Sequence, residues 1–212
     1  MLLINIAMGI TERKERERAE MRKMILEAAR HLFLANGYEK VSIRNIADAI
    51  EYSPATIYLY YKDKNDLLYA LHQEAFGKLI EKFKPVFTVD DPFERLVRMG
   101  QQYIHYAFEN PEMFDLMFIM TAPLETLECR EDVWDEGRIA FNMLVQVVQQ
   151  CIDAGVFKHQ DAERASLMIW SMVHGLSALF LRKRMMIFSE ERRGKLMQEA
   201  FELFSDTIRK GL

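Results

Sequence analysis

Cysteine is nearly absent from this chain. Of its 212 residues only Cys129 and Cys151 carry a thiol. Two isolated cysteines make neither a disulfide framework nor a zinc site, and they fit a reducing cytoplasm. Proline and glycine are scarce too, at five and nine residues. That scarcity argues against a β-rich or disordered chain, which needs many turn residues. No apolar run reaches the roughly 18 residues of a membrane-spanning segment, so no membrane partner is expected. The opening Met1-Leu2-Leu3-Ile4-Asn5-Ile6-Ala7-Met8 is apolar but short and has no basic residue before it. It makes a poor signal peptide. Residues 1–10 are expected to form a mobile arm, with Met8 as an alternative start.

The motifs of common catalytic chemistries are missing as well. A di-metal carboxylate site in a helical bundle needs Glu three residues before His. None of His31, His72, His105, His159 and His174 has one. There is no Gly-rich phosphate loop, no Gly-x-Ser-x-Gly and no Cys-x-x-Cys. An enzyme is disfavoured on these grounds, and no metal or cofactor is expected.

What is present is helix-forming material. The chain is 50% hydrophobic and 28% charged, with a net charge of −4. Leu, Met, Ala, Glu, Gln, Lys and Arg dominate, all good helix formers. The charge is uneven. Residues 1–64 carry 11 Lys and Arg against 9 Asp and Glu, leaving 17 against 23 for the remainder. The N-terminal third is therefore slightly basic relative to the rest, a weak pointer to nucleic acid.

The spacing predicts an all-α protein. A first helix spans about Thr11 to Asn36. Its start mixes Arg13, Lys14, Arg16 and Arg18 with Glu12, Glu15 and Glu17, and reads as a solvated face. Its later part places Met21, Met24, Ile25, Ala28, Leu32 and Phe33 on one stripe, and Gly37 supplies its stop. A short helix follows over about Ser42 to Ile50, with Ser42 as N-cap and Ile43, Ile46, Ala47 and Ile50 buried. A second short helix runs from Pro54 to Tyr61. Ser53 caps it, Pro54 sits at its first position, and Ile57 and Tyr61 face inward. Asp63 caps a long helix to about Lys84, with Asp66 three residues on as an acidic variant of the capping box. Further helices are expected over Pro92–Glu109, Pro111–Met120, Glu131–Ala154, Asp161–Arg184 and Glu190–Lys210.

Two short helices joined by a four-residue turn and packed on a preceding helix have the geometry of a helix-turn-helix. The residues go further than geometry. Ile25 to Phe33, then Asn36-Gly37-Tyr38, then Val41 to Ala47, then Ser53-Pro54-Ala55-Thr56-Ile57-Tyr58-Leu59-Tyr60-Tyr61-Lys62-Asp63-Lys64-Asn65-Asp66-Leu67-Leu68 resemble the TetR family of repressors over about 45 residues, nearly without gaps.

The resemblance implies roles position by position. Arg44 stands where the family often reads a base edge, and its fork suits guanine O6 and N7. Ser53, Pro54, Ala55 and Thr56 open the recognition helix, nearest the bases. Tyr58 and Tyr60 reach phosphates or a thymine methyl. Lys64, in the first turn of the next helix, holds a phosphate through its ammonium and the free N–H groups there, and Ser42 adds another contact. Lys62 reads as a solvated charge. One departure stands out: the family usually has glycine where Glu51 stands. A left-handed backbone there would strain Glu by about 1 kcal/mol or more.

The domain boundaries expected are 11–66 for a DNA-binding domain and 67–212 for a ligand-binding and dimerisation domain. In the latter, Trp170-Ser171-Met172-Val173-His174-Gly175-Leu176 resembles a Trp…His-Gly signature of one subset of TetR C-terminal domains. Mid-helix, Gly175 costs roughly 1 kcal/mol against alanine unless close packing explains it, and a helix crossing between two copies is such an explanation. Trp170, Gly175, Ala178, Leu179, Phe201 and Phe204 are the expected dimer contacts. Tyr103, Tyr106, Met113, Phe114, Met117, Phe118, Trp134, Phe141 and His174 are the expected lining of an adaptable apolar pocket. The resemblance implies a cytoplasmic homodimer that binds a pseudo-palindromic double-stranded operator and is released by a small apolar or aromatic effector. Two rivals are a helical scaffold of the same fold that binds a protein, and a helical-bundle enzyme. Salt-dependent DNA binding separates the scaffold from the repressor.

Overall fold

The computed structural model describes residues 2–119, 135–158 and 161–211, with backbone alone for residues 2–8 and 10. Among the described residues there are nine α-helices and no strand. They form two compact units. One is built on residues up to Glu74, the other on 75–117 with the described residues from 135 onward.

In the first unit α1 spans Leu2–Asn36. It begins well before Thr11, so the backbone of residues 2–10 continues the helix where the sequence predicts a separate arm. Ile25, Ala29 and Phe33 recur every fourth residue and are buried, which places them on one face. Gly37 ends the helix at φ 82° and ψ 146°, a backbone that glycine tolerates and L side chains rarely adopt.

Helix α2 (Ile43–Ala49) starts with a reciprocal cap. Ser42 Oγ accepts from the Asn45 amide at 3.2 Å, and Asn45 Oδ1 accepts from the Ser42 amide at 2.9 Å. Its end forms a Schellman motif: the Tyr52 amide donates to the Ala47 carbonyl at 3.0 Å and the Glu51 amide to that of Asp48 at 3.2 Å. That motif requires a left-handed residue between them, and Glu51 supplies it at φ 59°. The turn keeps the shape a glycine would give and carries the strain expected for Glu.

Helix α3 (Pro54–Tyr58) is shorter than the span to Tyr61 that the pattern predicts. Past Tyr58 the chain tightens, with Leu59 donating to the Thr56 carbonyl and Tyr60 to that of Ile57. Tyr61 is still carried into the core. Helix α4 (Lys64–Phe83) follows, with Asp63 Oδ1 accepting from the Asp66 amide at 2.8 Å. Ile46, Ala47, Ile57, Tyr61, Leu67, Leu68 and Leu71 close the core of this unit, all essentially without solvent contact. Each large aliphatic chain among them contributes about 1.5–3 kcal/mol by leaving water.

The second unit comprises the later part of α4, α5 (Pro92–Glu109), α6 (Pro111–Phe118, of which Phe118 groups with the first unit), α7 (Asp135–Asp153), α8 (Ala162–Leu181) and α9 (Glu190–Gly211). Helices α5, α7 and α8 pack on one another, and α9 packs on α8. Phe93, Leu96, Met99, Tyr103 and Tyr106 form the inner stripe of α5. Gly100 permits close contact with α9: a Cβ there would lie 2.9 Å from the Phe201 ring. Gly155, at φ 71°, ends the turn after α7. Cys151 is buried on α7, and burial pushes its thiol up to about 12, so it is neutral and unreactive. Helix α8 is long and apolar enough to cross a membrane by length and composition. Its inner face is instead buried in this bundle.

Candidate functional site

The first unit turns one polar edge outward. Arg44 on α2 is exposed, as are Ser42, Ser53 and Ala55, while Pro54 and Thr56 are half-buried. Ser53 Oγ accepts from the Thr56 amide at 3.3 Å and lies 3.1 Å from Thr56 Oγ1. The start of α3 is thus fixed by its own side chains before any partner arrives. Tyr58 is 56% exposed although Ile57 beside it is fully buried. Tyr60 is half-buried. Period 3.6 explains the split: Ile57 and Tyr61, four apart, face the core, and Tyr58 lies off that line. Leu59, also solvent-facing, is 74% exposed. An exposed residue at the end of a recognition helix reads as loop filler in a sequence, so nothing had marked it.

Lys64 departs from the role expected of it. Its ammonium donates to the Tyr38 carbonyl at 2.9 Å and sits 4.0 Å from the centroid of the Tyr38 ring. Nearby amides are also occupied, with Lys62 N–H donating to Asp66 Oδ2 at 3.0 Å and Asp66 N–H to Asp63. Lys64 serves to dock α4 against the 3₁₀ turn at Tyr38. The tip of its side chain is directed at Tyr38.

In the second unit five of the aromatic residues meet. His174 on α8 stacks on Phe114 of α6 with centroids 5.1 Å apart and 22° between planes. Its Nδ1 lies 2.9 Å from the Tyr103 hydroxyl. The Trp170 indole N–H donates to the same hydroxyl at 3.3 Å, and Trp170 lies 6.0 Å from Phe141. Burial holds the Tyr103 phenol well above its ordinary range and draws His174 below its own, so both are neutral near pH 7. Met113 and Met117 are buried on the same helix as Phe114. The structure therefore brings together Tyr103, Phe114, Phe141 and His174 of the expected pocket, and adds Trp170, which the sequence pattern places among the dimer contacts. Its N–H is engaged inside the protomer because it is a donor that burial obliges to find an acceptor.

Two other expected lining residues, Tyr106 and Phe118, lie apart from this cluster. Tyr106 donates its hydroxyl to the Ala75 carbonyl at 2.7 Å and lines a separate open cleft of about 660 Å³, between the later part of α4 and the end of α5. Lys82 and Glu109 pair across that cleft at 2.9 Å, which lowers the Glu109 carboxyl below its usual range with help from His105. Phe118 is half-buried and belongs to the first unit. Trp134 lies outside the described residues.

The outer face of α8 is apolar. Leu167, Met168 and Leu179 are exposed, and with Ser171 and Gly175 they recur at helical spacing. Among the described residues, a Cβ on Gly175 would meet nothing within 4 Å, so packing among them does not explain this glycine. Ala178 is half-buried, as is Phe204 on α9, and Leu203 beside it is 69% exposed. Phe201 is different: it is 6% exposed and packed against Gly100, a core residue and not a surface contact as the sequence reading had it.

Comparison with known proteins agrees with this layout. Residues 25–71 match the family described as "Bacterial regulatory proteins, tetR family", and residues 96–203 match "Tetracyclin repressor-like, C-terminal domain". The fatty acid metabolism regulator protein of Bacillus subtilis is 37% identical over 60 residues, which cover 28% of this chain and 31% of that protein. The chain thus spans about a third of the length of the first curated relatives it matches. The crystal structure of the regulator PfmR of Thermus thermophilus aligns at TM-score 0.68 and 25% identity, covering 89% of this chain and 95% of that one. That of FadR of Bacillus subtilis, in complex with stearoyl-CoA, aligns at TM-score 0.70 and 20% identity over 85% and 96% of the two chains.

Proposed function

The chain belongs to the TetR family, and from that premise we propose that it is a homodimeric transcriptional repressor that leaves its operator when a small effector binds. The observation that carries the reading is the start of α3. A capped helix end with Tyr58 turned to solvent, beside an exposed Arg44, is preorganised for a major groove. Two copies place their recognition helices roughly 34–36 Å apart, on successive turns of a pseudo-palindrome. The exposed apolar face of α8, joined by Leu203 and Phe204 of α9, supplies the two-fold contact. As in the rest of the family, the protein acts in the cytoplasm.

The effector sits among Tyr103, Phe114, Phe141, Trp170 and His174. It works by preferring a second conformation, and only its difference in affinity between the two states moves the equilibrium. Helix α4, continuous from Lys64 to Phe83, is the element through which that shift travels. The names of the Bacillus relatives put fatty acids and acyl-CoA thioesters first among the effectors to screen.

Selection of bound sequences from a random DNA pool tests the reading, with the winner titrated at several salt concentrations. A palindromic winner, weakened by salt and by Tyr58→Ala and Arg44→Ala, is the expected result. A folded dimer that enriches nothing overturns it in favour of a protein-binding scaffold.

A further inference from the structure

The connection between α8 and α9 gathers cations. Residues 182–195 hold six Lys and Arg against two Glu, in a chain whose net charge is −4. The turn itself is firmly built. Lys183 sits at φ 56° and ψ 26°, a left-handed backbone that a Cβ disfavours. The 3₁₀ turn Arg184–Ile187 follows, with Met185 buried beneath it. Arg182 pairs with Asp115 of α6, and Arg193 Nε donates to the Phe188 carbonyl at 3.0 Å. Those two cations hold the turn in place. The others face water. Lys183, Arg184 and Arg192 are exposed, and among the described residues their side chains make no ion pair or hydrogen bond. Beside them Met186 is 61% exposed and Ile187 83%, the most exposed large apolar side chain among the described residues.

A surface that takes this tip must offer anionic groups and apolar depth together. Nucleic acid offers phosphates, but no apolar layer for Met186 and Ile187. A second copy that meets the turn about a two-fold axis brings the same cations face to face. A bilayer containing anionic phospholipid supplies both needs. Its headgroup phosphates attract the cations, and its acyl chains open around a convex tip without a preformed pocket. Contact of this kind is peripheral and needs no spanning segment. Glu190 and Glu191, exposed at the start of α9, reduce the attraction without reversing its sign.

We propose that the turn between α8 and α9 is a docking surface for an anionic lipid bilayer. Met186 and Ile187 enter the interface, and Lys183, Arg184 and Arg192 lie against headgroup phosphates.

The full-length protein is sedimented with vesicles of phosphatidylcholine alone and with vesicles of phosphatidylcholine mixed with phosphatidylglycerol, at several salt concentrations. Binding to the anionic vesicles only, weakening as salt rises, is the expected result. Lys183→Gln and Arg184→Gln are each expected to weaken it about fivefold. Ile187→Ser is expected to weaken it at every salt concentration, because that contact carries no charge. Ile187→Trp is expected to bind with a blue shift in its emission as the indole leaves water. All these side chains are exposed, so each variant is expected to keep the helicity and Tm of the wild type. Failure to bind anionic vesicles, equal binding to both kinds, or wild-type binding by Ile187→Ser overturns the proposal. The same variants are run without lipid and on the selected operator. If Ile187→Ser dissociates an oligomer, or Lys183→Gln loses DNA, while vesicle binding is unchanged, the turn belongs to a second copy or to nucleic acid and the proposal falls.

Discussion

The Lys64 ammonium lies 2.9 Å from the Tyr38 carbonyl and 4.0 Å from the centroid of the Tyr38 ring. A charge held this way ties the first turn of α4 to the 3₁₀ turn at Tyr38 that follows α1. Lys64→Met is expected to cost about 1–2 kcal/mol, from a charge-assisted hydrogen bond and a cation–π contact. It is also expected to leave the slope of log K against log salt unchanged. Chemical denaturation gives the first quantity and operator titration the second. A slope that falls by about one would put Lys64 on a phosphate after all.

Glu51 sits at φ 59° between the two helices of the DNA-binding motif. Glycine takes that backbone without the steric cost a Cβ brings, though it loses more freedom on folding. Glu51→Gly is therefore expected to stabilise the protein by about 0.5–1 kcal/mol. That corresponds to a rise in Tm of about 1–4 °C for a chain of this size. A fall in Tm would mean that the Glu side chain makes a compensating contact.

Among the described residues, a Cβ on Gly175 meets nothing within 4 Å. Leucine at this site is expected to leave the protomer folded. If a second copy approaches the outer face of α8, the same change overfills the contact by about 1–3 kcal/mol and weakens dimerisation roughly 5- to 150-fold. Sedimentation at several concentrations, with helicity checked by circular dichroism, reads both effects. An unchanged dimer places the interface elsewhere.

His174 titrates below its ordinary range because burial penalises its charged form. The unfolded chain therefore binds that proton more readily, at a pKa near 6.5. The stability this group contributes is present above that value and is lost as pH falls through it toward the folded-state pKa. Between pH 7.5 and pH 5 the wild-type Tm is expected to fall further than that of His174→Gln, which has no proton to take up. Parallel pH profiles for the two proteins would show that the ring protonates without cost in the fold.

These outcomes divide along a physical line. The helix-turn-helix, its caps at Ser42, Ser53 and Asp63, and the stop at Gly37 were legible because each depends on residues within four positions along the chain. The strain at Glu51 was legible for the same reason: a backbone region that suits glycine is a local property. The apolar stripes of α1 and α5 followed from period alone, and the buried Ile57 and Tyr61 left Tyr58 outward by geometry.

The sequence by itself determined an all-helical protein, the family of its DNA-binding motif and the polar edge at the start of α3. The tertiary structure decided which side of α8 and α9 is core. Helix α8 is apolar nearly all round, so period could not tell Trp170, whose N–H is engaged inside, from Leu179, which faces out. Phe201 and Leu203 likewise differ only in which neighbour each meets, and Gly100 makes room for the first. Where the Lys64 ammonium points was settled by Tyr38, 26 residues away. Contacts between distant segments set these choices, because a long side chain or a two-sided apolar helix takes its direction from whichever partner best satisfies it.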